Sequence, residues 1–295
     1  MFKSGFVAVV GKPNVGKSSL INALVKEKVA IVSPKPQTTR NRILGIANGK
    51  DYQIAFVDTP GEYHAKSKLA QFMGKSIDAA KQGVDLILLV LDATKINQTD
   101  YEILTNLENS KTPVLVVLNK IDKASFEKVY PTLAKLNEYK FVKDFASVSA
   151  KENKNIDELI SKICGYLNDG ERLFDEDTFT DKSVRFMASE IIREKVLLFV
   201  QEEIPHFVGV EILEFKEDNH KIKISADIIC EKDSHKQIII GKGGAMIKKI
   251  GTYAREDIEK LAGKKVYLEL FVKARAGWQE DKTILSSLGY TDSEI

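Results

Sequence analysis

Eight consecutive residues, Gly11-Lys12-Pro13-Asn14-Val15-Gly16-Lys17-Ser18, carry the spacing Gly-x-x-x-x-Gly-Lys-Ser. They follow a short apolar run, Phe6 to Val10, and lead into an amphipathic pattern opened by Ser18, Ser19 and Leu20. Strand, glycine-bounded loop and helix in that order turn the spacing into a mechanism. Gly11 and Gly16 admit backbone angles and a close approach that a side chain would block. Successive N–H groups and the helix N-terminus then present positive partial charge to a phosphate chain. Lys17 is placed to reach the terminal phosphates and the Ser18 hydroxyl to bind Mg²⁺. The plainer alternative is a glycine-rich turn with a chance lysine, and the flanking pattern argues against it. Residues Gly11 through Ser19 are therefore expected to bind a nucleoside triphosphate.

Three more segments supply what a guanine base and a metal would need, each after an apolar run. Asp58-Thr59-Pro60-Gly61 follows the run ending at Val57, where the aspartate would hold Mg²⁺ through water and the Gly61 N–H would sense the γ-phosphate. Asn119-Lys120-Ile121-Asp122 follows Leu118. The Asp122 carboxylate can accept from guanine N1–H and N2–H₂, a donor pair adenine lacks. Asn119 would tie the base edge to the phosphate loop, and the Lys120 stem would lie over the base. Ser149-Ala150-Lys151 follows the next run, where a backbone N–H can donate to guanine O6. Between the first helix and the second strand, Pro36-Gln37-Thr38-Thr39-Arg40 offers a threonine to complete the Mg²⁺ shell. Both threonines as mere shapers of a polar loop is the alternative. Each short motif is weak alone; in this order, each behind a strand, they specify a guanine-nucleotide switch.

These residues need a scaffold that brings strand ends together. Expected strands are Phe6–Val10, Ile43–Ala47, Gln53–Val57, Asp85–Leu91, Pro113–Leu118 and Phe145–Val148, alternating with helices over Ser18–Leu24, Lys66–Ala80, Asp100–Asn109, Phe126–Leu136 and Ile156–Leu167. Alternation implies a mainly parallel sheet covered on both faces, with ligands at the carboxyl ends of its strands. At 295 residues the chain is long enough for two domains, and the first is expected over 1–167. A net charge of +2 means nucleic-acid binding must be argued from local clusters. Two cysteines, Cys164 and Cys230, form no spaced metal motif and fit a reduced, cytoplasmic protein. The first residues precede too short an apolar run for a signal peptide. The longest apolar stretch, Val84 to Leu91, is far short of a membrane span.

An acidic, weakly periodic run at 168–182 reads as a linker. Beyond it, over 183–295, the pattern reads helix, strand, strand, helix, helix, strand, with Gly241-Lys242-Gly243-Gly244 joining the two adjacent helices. That order matches a type II KH domain, whose Gly-x-x-Gly loop clamps a single-stranded nucleic-acid backbone. Gly241 and Gly244 would admit phosphates and Lys242 would supply charge. Ile238, Ile239, Ile240, Ile247 and Ile250 are the expected floor of a base groove, with Lys248 and Lys249 on its rim. A merely structural glycine turn is the alternative.

The constellation resembles the Era family of translation-factor-like GTPases. The loop form Gly-x-Pro-Asn-Val-Gly-Lys-Ser is shared, as are Ala188-Ser189-Glu190-Ile191-Ile192-Arg193-Glu194-Lys195 and the terminal Trp278, Leu285, Leu288, Gly289 and Tyr290. The resemblance implies an α/β P-loop GTPase domain with a mainly parallel sheet, followed by a smaller α+β type II KH domain. It makes Thr39 rather than Thr38 the metal-completing threonine, and Lys17, Asn14, Thr39 and Gly61 the catalytic set. It also gives Asn14 a role in holding K⁺ near the phosphates, a purely structural Asn14 being the alternative. Glu62, with Tyr63 and His64 after it, stands where a water-orienting glutamine would, so slow hydrolysis is expected. By resemblance, the partners are GTP and GDP, the 3′ end of small-subunit (16S) ribosomal RNA and the small (30S) ribosomal subunit during assembly and rRNA processing. A monomeric cytoplasmic protein with peripheral contact to the inner membrane is also implied. A non-catalytic RNA-binding assembly factor with GTP as a structural ligand is the competing reading.

Overall fold

Runs that are apolar at every position, such as 86–91 and 114–118, are buried on both faces, and only a sheet covered by helices on each side can do this. The computed structural model describes residues 1–35, 38–60, 69, 71, 73, 83–201 and 204–291. Its first sheet comprises β1 (Lys3–Val10), β2 (Ile43–Asn48), β3 (Tyr52–Asp58), β4 (Leu86–Asp92), β5 (Val114–Asn119) and β6 (Val142–Ser147), in the order β2-β3-β1-β4-β5-β6. Only β2 runs antiparallel to its neighbour among these six. Helices α1 (Lys17–Val25), α2 (Gln98–Asn106), α3 (Phe126–Leu136) and α4 (Ile156–Cys164) alternate with the strands. Two cores result, one on each face: Val7, Leu20, Phe56 and Leu159 lie in one, and Val10, Leu89, Leu104 and Val116 in the other. Strand order reverses at β1, the place where a crevice opens at the strand ends. The expected helix at Lys66–Ala80 falls almost wholly outside the described residues, of which Leu69, Gln71 and Met73 are helical.

The second half follows the expected order. Ser183 caps α5 (Val184–Phe199), its hydroxyl accepting from the Phe186 N–H. Strands β8 (Gly209–Glu217), β9 (Lys221–Cys230) and β10 (Lys265–Ala274) form a sheet in the order β10-β9-β8, with β10 parallel to β9. Helices α6 (Asp233–Ile240) and α7 (Ala245–Ala262) pack with α5 on one face around Ile191, Ile224, Ile239 and Ile250.

The acidic run between the halves is a docked strap. A short strand β7 (Asn168–Asp169) pairs with β1. The fully buried Gln53 amide donates to the Phe174 carbonyl and accepts from the Leu173 and Phe174 N–H groups. Further along, the Ile46 N–H donates to the Phe179 carbonyl and the Leu44 N–H to the Asp181 carboxylate. The strap thus occupies the open edge of β2, which would otherwise present unpaired backbone groups. A side-chain amide some hundred residues upstream holds it, so charge pattern and periodicity give no sign of it. A short helix, α8 (Lys282–Ser287), then returns the chain to the first half. There Leu69 and Met73 pack against Ile229, Trp278, Leu285 and Tyr290.

Candidate nucleotide site and nucleic-acid groove

The phosphate loop connects β1 to α1 at the strand-order reversal. Gly11 has φ +144° and Gly16 +97°; a Cβ at Gly16 would lie 2.4 Å from Asn119 Nδ2, so both positions need glycine. Lys17 is buried, and its ammonium donates to the Gly11 carbonyl at 2.9 Å and the Lys12 carbonyl at 3.2 Å. These loop bonds hold the charge where phosphates would replace the carbonyls.

Three oxygen groups converge beside it. Ser18 Oγ donates to Asp58 Oδ2 at 2.8 Å and lies 2.9 Å from Thr39 Oγ1, which is 3.3 Å from the same carboxylate oxygen. Asp58 is fully buried, and burial pushes its carboxyl up from the usual range, opposed by Lys17 and the two hydroxyls. Its second oxygen, Oδ1, has no hydrogen-bond partner among the described residues. A buried carboxylate with an orphaned oxygen and two hydroxyls is a hard-oxygen donor set that suits Mg²⁺. Thr39 rather than Thr38 belongs to it; Thr38 Oγ1 instead donates to the Lys35 carbonyl. A cavity of about 60 Å³ lies between the loop, at Pro13, Asn14, Lys17 and Ser19, and the segment Ile31 to Ser33 with Thr38 and Thr39.

Four expected loop contributors behave differently. The Lys12 side chain turns away from the phosphate cavity to the Lys95 carbonyl and to buried Asp100 at the start of α2. Asn14 (φ +65°) donates from Nδ2 to the Pro34 carbonyl at 2.9 Å, tying the loop to the segment beyond α1. Val15 is core. Thr59 Oγ1 donates to the Val9 carbonyl at 2.8 Å and so fastens β3 to β1, with Pro60 following it. Gly61, Glu62, Tyr63 and His64 lie outside the described residues, as do Pro36 and Gln37.

The base motifs meet at the ends of β5 and β6. Asn119 Nδ2 donates to the Val15 carbonyl at 3.0 Å, and its Oδ1 accepts from the Lys120 and Ala150 N–H groups. The Ala150 N–H, a candidate donor to guanine O6, is thus engaged by Asn119 in this structure. Asp122 Oδ1 accepts from Ser149 Oγ at 2.7 Å, which aims the carboxylate, and Lys151 is exposed at the rim. Lys120 reaches across the loop to the Asn14 carbonyl at 2.5 Å and Asp92 Oδ2 at 2.7 Å. Burial resists the Asp92 charge, but Lys120 and Thr94 outweigh it and hold the carboxyl below its usual range. Sequence reading overlooks Asp92 and Asp100. For Asp92 a signal existed, since it ends β4 in register with Asn119.

In the second half Gly241, Gly243 and Gly244 all have positive φ, at +73°, +59° and +79°. A Cβ on Gly241 would strike Met246, whereas Gly243 and Gly244 face open space. Beside this loop a groove of about 320 Å³ runs between α7 and β10, with Ile247, Leu268 and Leu270 as floor and Lys248 and Arg255 as rim. Gly251 opens it at mid-helix. The expected floor needs correction: Ile239 and Ile250 are wholly buried core, and Ile238 is exposed outside the groove. Ile247 alone of that set lines the groove: Ile238 to Ile240 are consecutive and diverge by about 100° each, while Ile250, one turn on from Ile247, turns fully into the core. For the same reason Lys249 leaves the rim and lies over the Phe199 ring. Lys232, Lys236, Lys242, Lys248 and Lys249 form no ion pair with a described residue, whereas Lys264, Lys265 and Lys273 are paired with Glu217, Glu259 and Asp227. Lys242 in the glycine loop and Lys248 on the groove rim are thus without an ion pair among the described residues.

The family pattern described as 50S ribosome-binding GTPase matches residues 6–120, and the KH domain pattern matches 203–279. GTPase Era of Clostridium acetobutylicum is 46% identical over 291 residues, covering 98% of each chain. GTPase Era of Caldanaerobacter subterraneus is 48% identical with the same coverage. Among solved structures, Aquifex aeolicus Era Y63A bound to GDP·AlF4⁻ superposes with a TM-score of 0.94 at 39% identity, covering 98% of this chain and all of that one. An Era complex with MgGDPNP and nucleotides 1506–1542 of 16S ribosomal RNA also scores 0.94, at 40% identity over 99% of this chain and all of that one. With likeness of this extent spanning both halves, the chain belongs to the Era family and is a GTPase with a P-loop domain followed by a KH domain.

Proposed function

We propose that this GTPase is a switch that binds the single-stranded 3′ end of small-subunit ribosomal RNA and acts in small-subunit assembly and rRNA processing. The observation that carries this reading is the Gly-x-x-Gly loop beside an apolar groove, with Lys242 in the loop and Lys248 on the rim forming no ion pair with a described residue. The 16S complex of the 40% identical relative supports the same ligand class.

In the nucleotide half, the loop N–H groups and Lys17 bind the phosphates, and Asp122 selects guanine. Ser18, Thr39 and Asp58 would hold Mg²⁺, which when bound neutralises charge on the β- and γ-phosphates. Asn14 is proposed to add K⁺ through its side-chain Oδ1, which accepts no hydrogen bond from a described residue while Nδ2 donates to the Pro34 carbonyl. The two halves communicate through the segment carrying Thr39. Arg193 on α5 donates to the Thr38 carbonyl, and Arg40 donates to the Val208 carbonyl at 2.7 Å and reaches the Tyr290 hydroxyl. Thr39 is thus held on both sides by the RNA-binding half, so nucleotide state and KH placement bias each other. A cytoplasmic location with peripheral membrane contact rests on family resemblance alone.

The test replaces Lys242 and Gly243 by aspartate, both exposed and with open space at Gly243. Binding of a short single strand matching the rRNA 3′ end should collapse while GTP binding holds. A folded double variant that binds this RNA at wild-type strength would overturn the groove reading.

A further inference from the structure

Lys249 and Tyr253 stand one turn apart on α7, on the shoulder next to the groove face that carries Lys248, Thr252 and Arg255. The Tyr253 ring is 47% exposed. It is backed by Phe199 from the end of α5, with ring centroids 5.1 Å apart and planes inclined at 55°. Lys249 Nζ sits 4.3 Å over the same Phe199 ring and has no ion pair with a described residue. A helix shoulder therefore presents an open aromatic face, stiffened from behind, with an uncompensated cation beside it.

We infer that Tyr253, Phe199 and Lys249 form a second stacking site for single-stranded RNA, occupied by nucleotides that run beyond the Gly-x-x-Gly groove. This rests on the RNA-binding reading above. A Gly-x-x-Gly groove clamps about four nucleotides, so a longer strand must leave it over a neighbouring surface. The α7 shoulder is contiguous with the rim and carries charge of the right sign. Stacking on an aromatic ring backed by a cation is how single strands are held without sequence readout.

A second exposed aromatic pair shows why charge matters. Tyr267 and Phe271 on the outer face of β10 are 56% and 53% exposed. Their surroundings are neutralised: Lys216 and Lys223 pair with Glu214, Lys273 with Asp227, and the Tyr267 hydroxyl donates to Glu269. The cations of that face are paired, whereas Lys249 on the α7 shoulder forms no ion pair with a described residue.

The experiment uses the full chain with a non-hydrolysable GTP analogue and two RNAs from the rRNA 3′ end. One is about four nucleotides long, enough for the groove alone, and the other is about three times that length. Tyr253→Ala should weaken the long RNA roughly 5- to 150-fold, the worth of one stacked base, and leave the short one unchanged. Tyr253→Phe keeps the ring and should bind both like wild type. Lys249→Gln should lower the slope of log affinity against log salt by about 0.7 on the long RNA only. Equal loss on both RNAs, or no loss on either, would overturn the second site. Loss of both RNAs in the Lys242/Gly243 double aspartate, with Tyr253→Ala neutral, would overturn the shoulder and leave the groove standing. Failure of the wild type to bind either RNA would instead overturn the RNA reading itself.

Discussion

Glu190→Gln should undock the two halves without unfolding either. Arg193 is 1% exposed, and Glu190 meets it through a two-pronged contact at 2.8 and 2.5 Å. Burial opposes the Arg193 charge, but Glu190 outweighs it and holds the guanidinium above its usual range. Arg40 is equally buried beside it, and there burial prevails and lowers the pKa, with Arg193 adding repulsion. Two buried guanidinium groups thus lie near the Glu190 carboxylate, which bonds Arg193 directly and favours the Arg40 charge at longer range, next to the residue that would complete the metal shell. Removing a partner from a buried ion pair costs about 3–5 kcal/mol. Glutamine keeps an acceptor oxygen, so the lower end, about 3 kcal/mol, is expected. That shifts the docked-to-undocked ratio roughly a hundredfold.

Trp278, the sole tryptophan, is fully buried in the interface, donating to the Phe207 carbonyl at 3.1 Å with Arg40 5.8 Å from its ring. In Glu190→Gln its emission should shift red at lower urea than the loss of far-ultraviolet circular dichroism, whereas in wild type the two transitions lie closer. Adding Arg193→Met should restore much of the docking, since it removes the uncompensated buried charge that Glu190→Gln leaves behind. The Thr38 carbonyl would still lack its donor, so Mg²⁺-dependent binding of a GTP analogue should stay weak in the double variant. An unshifted Trp278 transition in Glu190→Gln would refute the buried-charge argument. Full recovery of metal-dependent binding in the double variant would refute the role of Arg193 in placing Thr39.

Three further outcomes are expected. Asp122→Asn turns an acceptor into a donor and should move preference from GTP towards xanthosine triphosphate by about 2 kcal/mol, read by competition binding. Asp100→Asn removes the charge that anchors Lys12 and should weaken GDP and GTP equally, by at most about 3 kcal/mol, with guanine selectivity intact. A changed base preference there would show that the contact acts elsewhere. Docking should also weaken in acid through Asp257, which accepts from Lys28 at 2.9 Å and Lys195 at 2.5 Å. Burial opposes its charge, but the two lysines hold its carboxyl below the usual range. Its contribution is full above about pH 4 and lost as pH falls through the lowered folded-state value. The Trp278 transition should show this acid limb, and Asp257→Asn should abolish it.

The fold and the nucleotide pocket were largely legible because their signals are local. Strand residues 86–91 are apolar at every position, and the loop glycines sit at fixed offsets from Lys17. The groove floor was read less well, since Ile247 and Ile250 are equally apolar and only their direction from α7 separates ligand surface from core. The strap and the interface were illegible for a stronger reason. Gln53 and Phe174, or Thr38 and Arg193, are neighbours only after both halves have folded. Arg40 illustrates the consequence. In sequence it is one more cation in a polar loop; in the structure it is 1% exposed, seated over Trp278 and bonded to the other half. A charge buried at that cost is weak evidence for stability. It sits directly after Thr39, so undocking cannot release Arg40 without moving the backbone that carries the metal-completing hydroxyl. The sequence neighbours Thr38, Thr39 and Arg40 contact, in turn, Arg193 of the second half, Ser18 of the nucleotide site and Val208 of the second half again. That interleaving makes the two activities hard to separate by evolution or by mutation, and it is why the paired substitution at Glu190 and Arg193 is the informative one.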